Sequence, residues 1–131
     1  MFAWNDYLTL AESLASSQDE AALRTAISRA YYASFHIAQD LCHDLNIPVP
    51  RKIARSGRTD QSAHSRVAAA LRSHPNGDLR HAGKLLAVFR KSRNGADYDL
   101  PFAGDVSDAA QKAILDAHRI IDALHDFYRG A

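Results

Sequence analysis

A chain of 131 residues is the size of one domain; at 47% hydrophobic it can bury a core, and its 24% charged share is ordinary for a globular protein. A single cysteine, Cys42, excludes an internal disulfide and a cysteine-built metal site, and it fits a reducing compartment such as the cytoplasm. The opening residues MFAWNDYLTL carry no basic stretch ahead of an apolar run, and no segment approaches the ~20 apolar residues of a membrane span, so the reading is of a protein neither exported by a cleaved signal nor embedded.

The apolar periodicity is helical almost throughout, with no alternating strand pattern and no internal repeat. It predicts one domain over 1–131, all-α, built as an antiparallel four- to five-helix bundle. The first helix is expected from about Asp6 to Ser16, with Tyr7, Ala11, Leu14 and Ala15 on one face. Ser17-Gln18-Asp19-Glu20 reads as a capping box that opens the longest helix, to about Asn46. That helix has a seam of Leu23, Ile27, Ala30, Ser34, Ile37 and Leu41, at the alternating four- and three-residue spacing that bundle packing uses, and Pro48 and Pro50 end it. Residues 47–60 form a basic loop punctuated by proline and glycine, long for a bundle connection. A third helix is expected over about Gln61–Ser73, with His64, Val67, Ala68 and Leu71 on one face. His74-Pro75-Asn76-Gly77 is a turn, and a fourth helix runs from near Asp78 to at least Arg93 with a seam of Ala82, Leu86, Phe89, Arg93 and Ala96. Pro101 and Gly104 break the chain before a last helix, about Val106–Arg129, whose face is Ala113, Ala117, Ile121, Leu124 and Tyr128.

The net charge of +1 conceals a segregation. Residues 51–93 hold eleven of the sixteen basic residues and only two of the fifteen acids, Asp60 and Asp78. Such a segment makes a local positive field that attracts polyanions, although basic and acidic helices facing each other in a bundle would have the same pattern. The loop supplies Arg51, Lys52, Arg55 and Arg58 to it.

Arg93 stands where its seam calls for an apolar residue, and a guanidinium facing a core must be paired or line a cavity. Asp97 is one turn on, with Asn94 and Tyr98 beside it. The arrangement reads either as a phosphate-binding arginine oriented by Asp97 or as an ion pair that pins the helix end. His64, on the apolar face of the third helix, is either a second site residue or a hydrogen-bonded core histidine. Arg29, Tyr31, Tyr32, Phe35 and His36 crowd the middle of the long helix; they are either core, or Tyr32 and His36 stack on a base or bond a phosphate. His118 and His125 share a face without a third ligand, so no zinc site is expected, and no phosphate loop or other cofactor signature is present.

Several stretches together resemble the HEPN family. TAISRAYYASFHIAQDL (Thr25–Leu41) resembles the long second helix of small prokaryotic HEPN proteins, AHSRVAAAL (Ala63–Leu71) the helix that follows, and RKSRNGADYDL (Arg90–Leu100) the closing Arg-x-x-Ala-Asp-Tyr motif of one branch; WNDYLTLAESL (Trp4–Leu14) is similar to the opening helix. The resemblance implies an HEPN-like bundle, commonly a homodimer with a cleft between paired helices. Many such domains are metal-independent endoribonucleases, and many are toxins encoded beside a minimal nucleotidyltransferase antitoxin. Their motif is an arginine and a histidine with four to six residues between them. Arg93 and Asn94 match its start, but the histidine positions hold Tyr98, Asp99 and Leu100. Three readings follow: a non-catalytic RNA- or nucleotide-binding module; an endoribonuclease toxin using Arg93 with His64; and a purely structural dimerisation module. The missing histidine favours the first and third over the second, and the basic segment 51–93 favours the first over the third.

Overall fold

The computed structural model describes residues 1–49 and 62–130. Among them every regular element is a helix: α1 (Asn5–Leu14), α2 (Glu20–Asp44), α3 (Ala63–Arg72), α4 (Gly77–Tyr98) and α5 (Val106–Gly130). The five pack together as an all-α helical bundle, as the periodicity predicts. None of them is long and apolar enough to cross a membrane. The loop residues Arg51, Lys52, Arg55 and Arg58 lie outside the described residues.

α2 is the hub, packing on α1, α3, α4 and α5. Its expected seam is inward: Leu23, Ile27, Ala30, Ser34 and Leu41 are buried and Ile37 is partly so. Between these large residues it places Ala26, Ala33 and Ala38, all without solvent contact. Small side chains on several faces let neighbouring helices close from more than one direction. Each fully buried Leu or Ile contributes roughly 1.5–3 kcal/mol. α5 covers α2 with Ala113, Ala117, Ile121 and Leu124, together with Ile120. Tyr128 does not continue that face. It is 47% exposed, and the preceding Phe127 packs on the core, because one residue at the fraying helix end rotates the pattern by 100°.

The helix ends explain most differences from the sequence reading. The capping box does not form. Asp19 is the N-cap of α2, the Ser17 hydroxyl accepts the Asp19 N–H at 3.0 Å, and the Glu20 carboxylate pairs with Arg24 one turn on at 3.0 Å. The strong local cation diverts Glu20 from reaching back. α2 stops at Asp44, with Asn46 at φ 52° and the Ile47 N–H returning to the Cys42 carbonyl at 2.8 Å. Asparagine tolerates the left-handed region, so the helix closes before the prolines are reached. Ser62 caps α3 through the Ser65 N–H, Asn76 caps α4 through two N–H groups, and Asp105 accepts from Asp108 at the start of α5.

α3 lies close on α4 because Gly83 removes a side chain at their crossing. A Cβ there would stand 2.8 Å from the Arg72 nitrogen, 2.9 Å from the Ala68 carbonyl oxygen and 2.9 Å from the Leu71 Cβ. Backbone atoms cannot swing aside. Gly83→Ala gains about 1 kcal/mol of helix propensity but meets an overpacking penalty of roughly 1–3 kcal/mol and drives α3 off α4. We expect the variant to be less stable in urea denaturation; equal or greater stability would show that the two helices are not so tightly apposed.

Candidate functional site

The candidate site is assembled on α2 and completed by α4. Residues three and four apart share a helix face, so Ser28, Tyr31, Tyr32, Phe35 and His36 form one polar-aromatic band along α2. Arg93 comes to that band from the seam of α4, only 5% exposed. Its guanidinium carbon stands 5.3 Å from the centre of the Tyr31 ring, 5.4 Å from that of Tyr32 and 5.9 Å from that of Tyr98. Three electron-rich faces around a cation form a cage. The ionic and hydrogen-bonding contacts of Arg93 are long by comparison: Nη1 is 3.5 Å from Asp97 Oδ2 and 3.5 Å from the Tyr32 hydroxyl. Nε is buried and has no acceptor among the described residues. Asp97, partly exposed, also accepts from the Ser28 hydroxyl at 3.3 Å.

The turn that carries Asp97 and Tyr98 is fixed from α2. Arg24 donates through Nη1 to the Ala96 carbonyl at 3.2 Å and to the Asp99 carbonyl, and through Nη2 to the Leu100 carbonyl at 2.8 Å. A cation on the last carbonyls of a helix satisfies acceptors that have no partner within the helix and opposes its dipole. Tyr98 itself is 75% exposed, so one side of the cage is open to solvent. Asn94 is partly buried and makes no side-chain hydrogen bond among the described residues.

His64 enters from α3. Its Nδ1 is 2.9 Å from the Tyr31 hydroxyl, and its ring stacks on Phe35 at 4.2 Å. Tyr31 and Tyr32 are shared with Arg93: their ring centres stand 5.6 and 5.8 Å from that of His64 and 5.3 and 5.4 Å from the guanidinium carbon. Burial, then the nearby Arg93, Arg90 and His36, hold the His64 pKa down to about 4. Burial raises that of Tyr31, against the opposing pull of Arg93 and Arg90. At neutral pH the pair is therefore an uncharged imidazole and a phenol. The phenol proton has no other acceptor among the described residues, so Tyr31 donates to Nδ1, and Nε2 carries the ring proton.

Arg29 and His36 face outward from this core. Arg29 lies between the rings of Tyr7 and Tyr32, 4.8 Å from each, and donates to the Ser28 hydroxyl at 3.3 Å. His36 stacks under the Trp4 indole at 3.8 Å, and the Trp4 N–H donates to Asp40 at 3.1 Å. Burial lowers the His36 pKa, while a hydrogen bond to Gln39 and the charge of Asp40 act against it. The structure thus brings Arg93, Asp97, Tyr98, Tyr32, Arg29 and His36 together, with His64 joined through Tyr31.

Trp4, Arg24, Ser28 and Arg90 belong to this cluster and were not singled out in the sequence. Arg90 had a signal, since it precedes Arg93 by three residues and so shares its side of α4. Arg24 had none, because its acceptors are backbone carbonyls more than seventy residues away. No family model, curated protein or solved structure matches this chain.

The His64 environment has a direct consequence for pH. Between about 6.5 and about 4 the unfolded chain takes up a proton at this ring that the folded chain refuses. The stability held by the neutral imidazole is then fully present above pH 6.5 and is lost as pH falls toward 4. The urea midpoint of the parent should fall more steeply from pH 7 to 4.5 than that of His64→Gln. Parallel curves would contradict the buried, neutral assignment.

Proposed function

We propose that this chain is an HEPN-like module that binds RNA or a nucleotide by holding a phosphate at Arg93, without cleaving its ligand. The observation that carries the reading is the under-bonded state of Arg93. A guanidinium has five donors and keeps its charge at any pH the fold survives. Here one of them has no acceptor among the described residues, and the contacts to Asp97 and Tyr32 are at the long limit. Partly exposed Asp97 offsets only part of the charge. A phosphate oxygen entering past Tyr98 meets a pre-oriented cation and displaces little, while the open Tyr98 face offers a surface on which a base can stack.

Binding is favoured over cleavage by His64. Metal-independent RNA cleavage needs a group that exchanges a proton near neutrality. An imidazole held near 4 and bonded through Nδ1 to a phenol is poorly suited, and Tyr98 occupies one of the positions where the motif calls for histidine. The resemblance brings with it a homodimer, a minimal nucleotidyltransferase as partner and a cytoplasmic setting. These belong to the proposal. An endoribonuclease using Arg93 with His64, and a dimerisation module, are the readings it competes with.

The test is retention of short single-stranded RNA by the purified protein, with EDTA present, across a salt series. Affinity should fall with salt by about 0.7 log units per log unit of salt for each phosphate contacted. Arg93→Lys keeps the charge and loses the fork geometry, and should weaken binding by about tenfold, equivalent to ~1.4 kcal/mol, with little change in melting temperature. A lowered melting temperature with unchanged affinity per folded molecule would make Arg93 a structural ion-pair partner. Loss of intact RNA would favour the endoribonuclease, and no retention at low salt would leave the dimerisation module.

A further inference from the structure

α3 and α4 leave a small cavity of about 80 Å³ whose walls include His64, Ser65 and Arg72 from α3 and Leu86 and Arg90 from α4, and do not include Arg93. Gly83 lets the helices approach closely one turn earlier, and Arg72 of α3 and Arg90 of α4 line the same narrow gap. None of the residues lining it is acidic. Among the described residues neither arginine has a carboxylate partner. Arg90 donates through Nη1 to the Ser65 hydroxyl, but its Nε is buried with no acceptor. Two guanidinium groups lining one small gap without a carboxylate repel each other, and a buried donor without an acceptor is unfavourable. The volume corresponds to between two and three waters at ~30 Å³ each, which admits a tetrahedral oxyanion and little more.

We propose that this cavity is an anion subsite for a terminal phosphate, held between Arg90 and Arg72 with the Ser65 hydroxyl as a further donor. Arg90 supplies donors that its bond to Ser65 leaves over, the orphaned Nε–H among them, and Arg72 adds a second guanidinium. The neutral His64, protonated on Nε2, adds a donor without adding charge. The size of the cavity suits the end of a phosphate monoester rather than a chain running through it. The subsite stands beside the Arg93 reading and does not rest on it.

The test titrates the full chain with inorganic phosphate, with 5′-AMP and with a dinucleotide carrying only a phosphodiester, at constant ionic strength set with sodium chloride. The His64 ring resonances report occupancy, since that ring lines the cavity. Inorganic phosphate and AMP should move them saturably and the diester should not. Arg90→Gln should weaken phosphate at least tenfold, and Arg90→Lys should restore part of the loss. Arg72 is exposed, so Arg72→Gln leaves the core intact and serves as the second variant; it too should weaken phosphate severalfold. The proposal is overturned by shifts that do not saturate, by equal response to the diester, or by phosphate affinity indifferent to both glutamine variants. RNA retention that needs Arg93 but survives Arg90→Gln, with no phosphate bound, removes the subsite and leaves the function. Phosphate held at Arg90 by a protein that retains no RNA does the converse.

Discussion

The arginine at position 93 cannot lose its charge, and the fold places it in a seam otherwise made of Ala82, Leu86, Phe89 and Ala96. Everything around it answers to that. Tyr31 and Tyr32 turn their faces to the guanidinium, and Asp97 is held by Ser28 as well as by the cation. Burial first, and the field of Arg93 with it, keep His64 neutral and tell against a proton on its ring even where the pH would otherwise supply one. Attraction to ring faces can hold a buried cation, but it does not satisfy N–H donors, and the orphaned Nε records the shortfall.

The cluster depends on the bundle in two places. Arg24 reaches from the first turns of α2 to the end of α4 and closes over the carbonyls of Ala96, Asp99 and Leu100, so the turn bearing Asp97 and Tyr98 is positioned by the hub helix rather than by its own loop. Gly83 lets α3 lie against α4 and thereby brings His64 to Tyr31. The small residues of α2 do the rest, since Ala30, Ala33 and Ser34 allow helices to close on both sides of the aromatic band. Positioning by packed helices gives sharper geometry than positioning by loops.

Much of this was legible in the sequence. Apolar spacing located five helices and both main seams, because burial of one helix face is the largest regular signal a chain carries. The polar interruption at Arg93 was visible for the same reason, and Asp97, Tyr98 and Tyr32 lie at spacings that bring them to it. What failed was local. At the start of α2 the pattern Ser17 to Glu20 matched a cap, but Glu20 had a closer partner in Arg24. At the end of α5 one residue of rotation exchanged Tyr128 for Phe127. The contacts of Arg24, Trp4 and Arg90 join residues far apart in the chain, or side chains to backbone, and neither leaves a period to read. His64 was expected in one pocket with Arg93; both stand against the rings of Tyr31 and Tyr32.

The central claim is that Arg93 is a caged cation with donor capacity to spare, kept for a phosphate. The nitrogen resonance of its Nε–H reports that state directly. In the free protein at neutral pH it should be resolved and slow to exchange, since the group is buried. On addition of a short single-stranded RNA it should move, as the guanidinium exchanges long contacts for short, charge-assisted ones. A resonance that exchanges rapidly in the free protein, or one that stays in place while RNA is bound, would contradict the account.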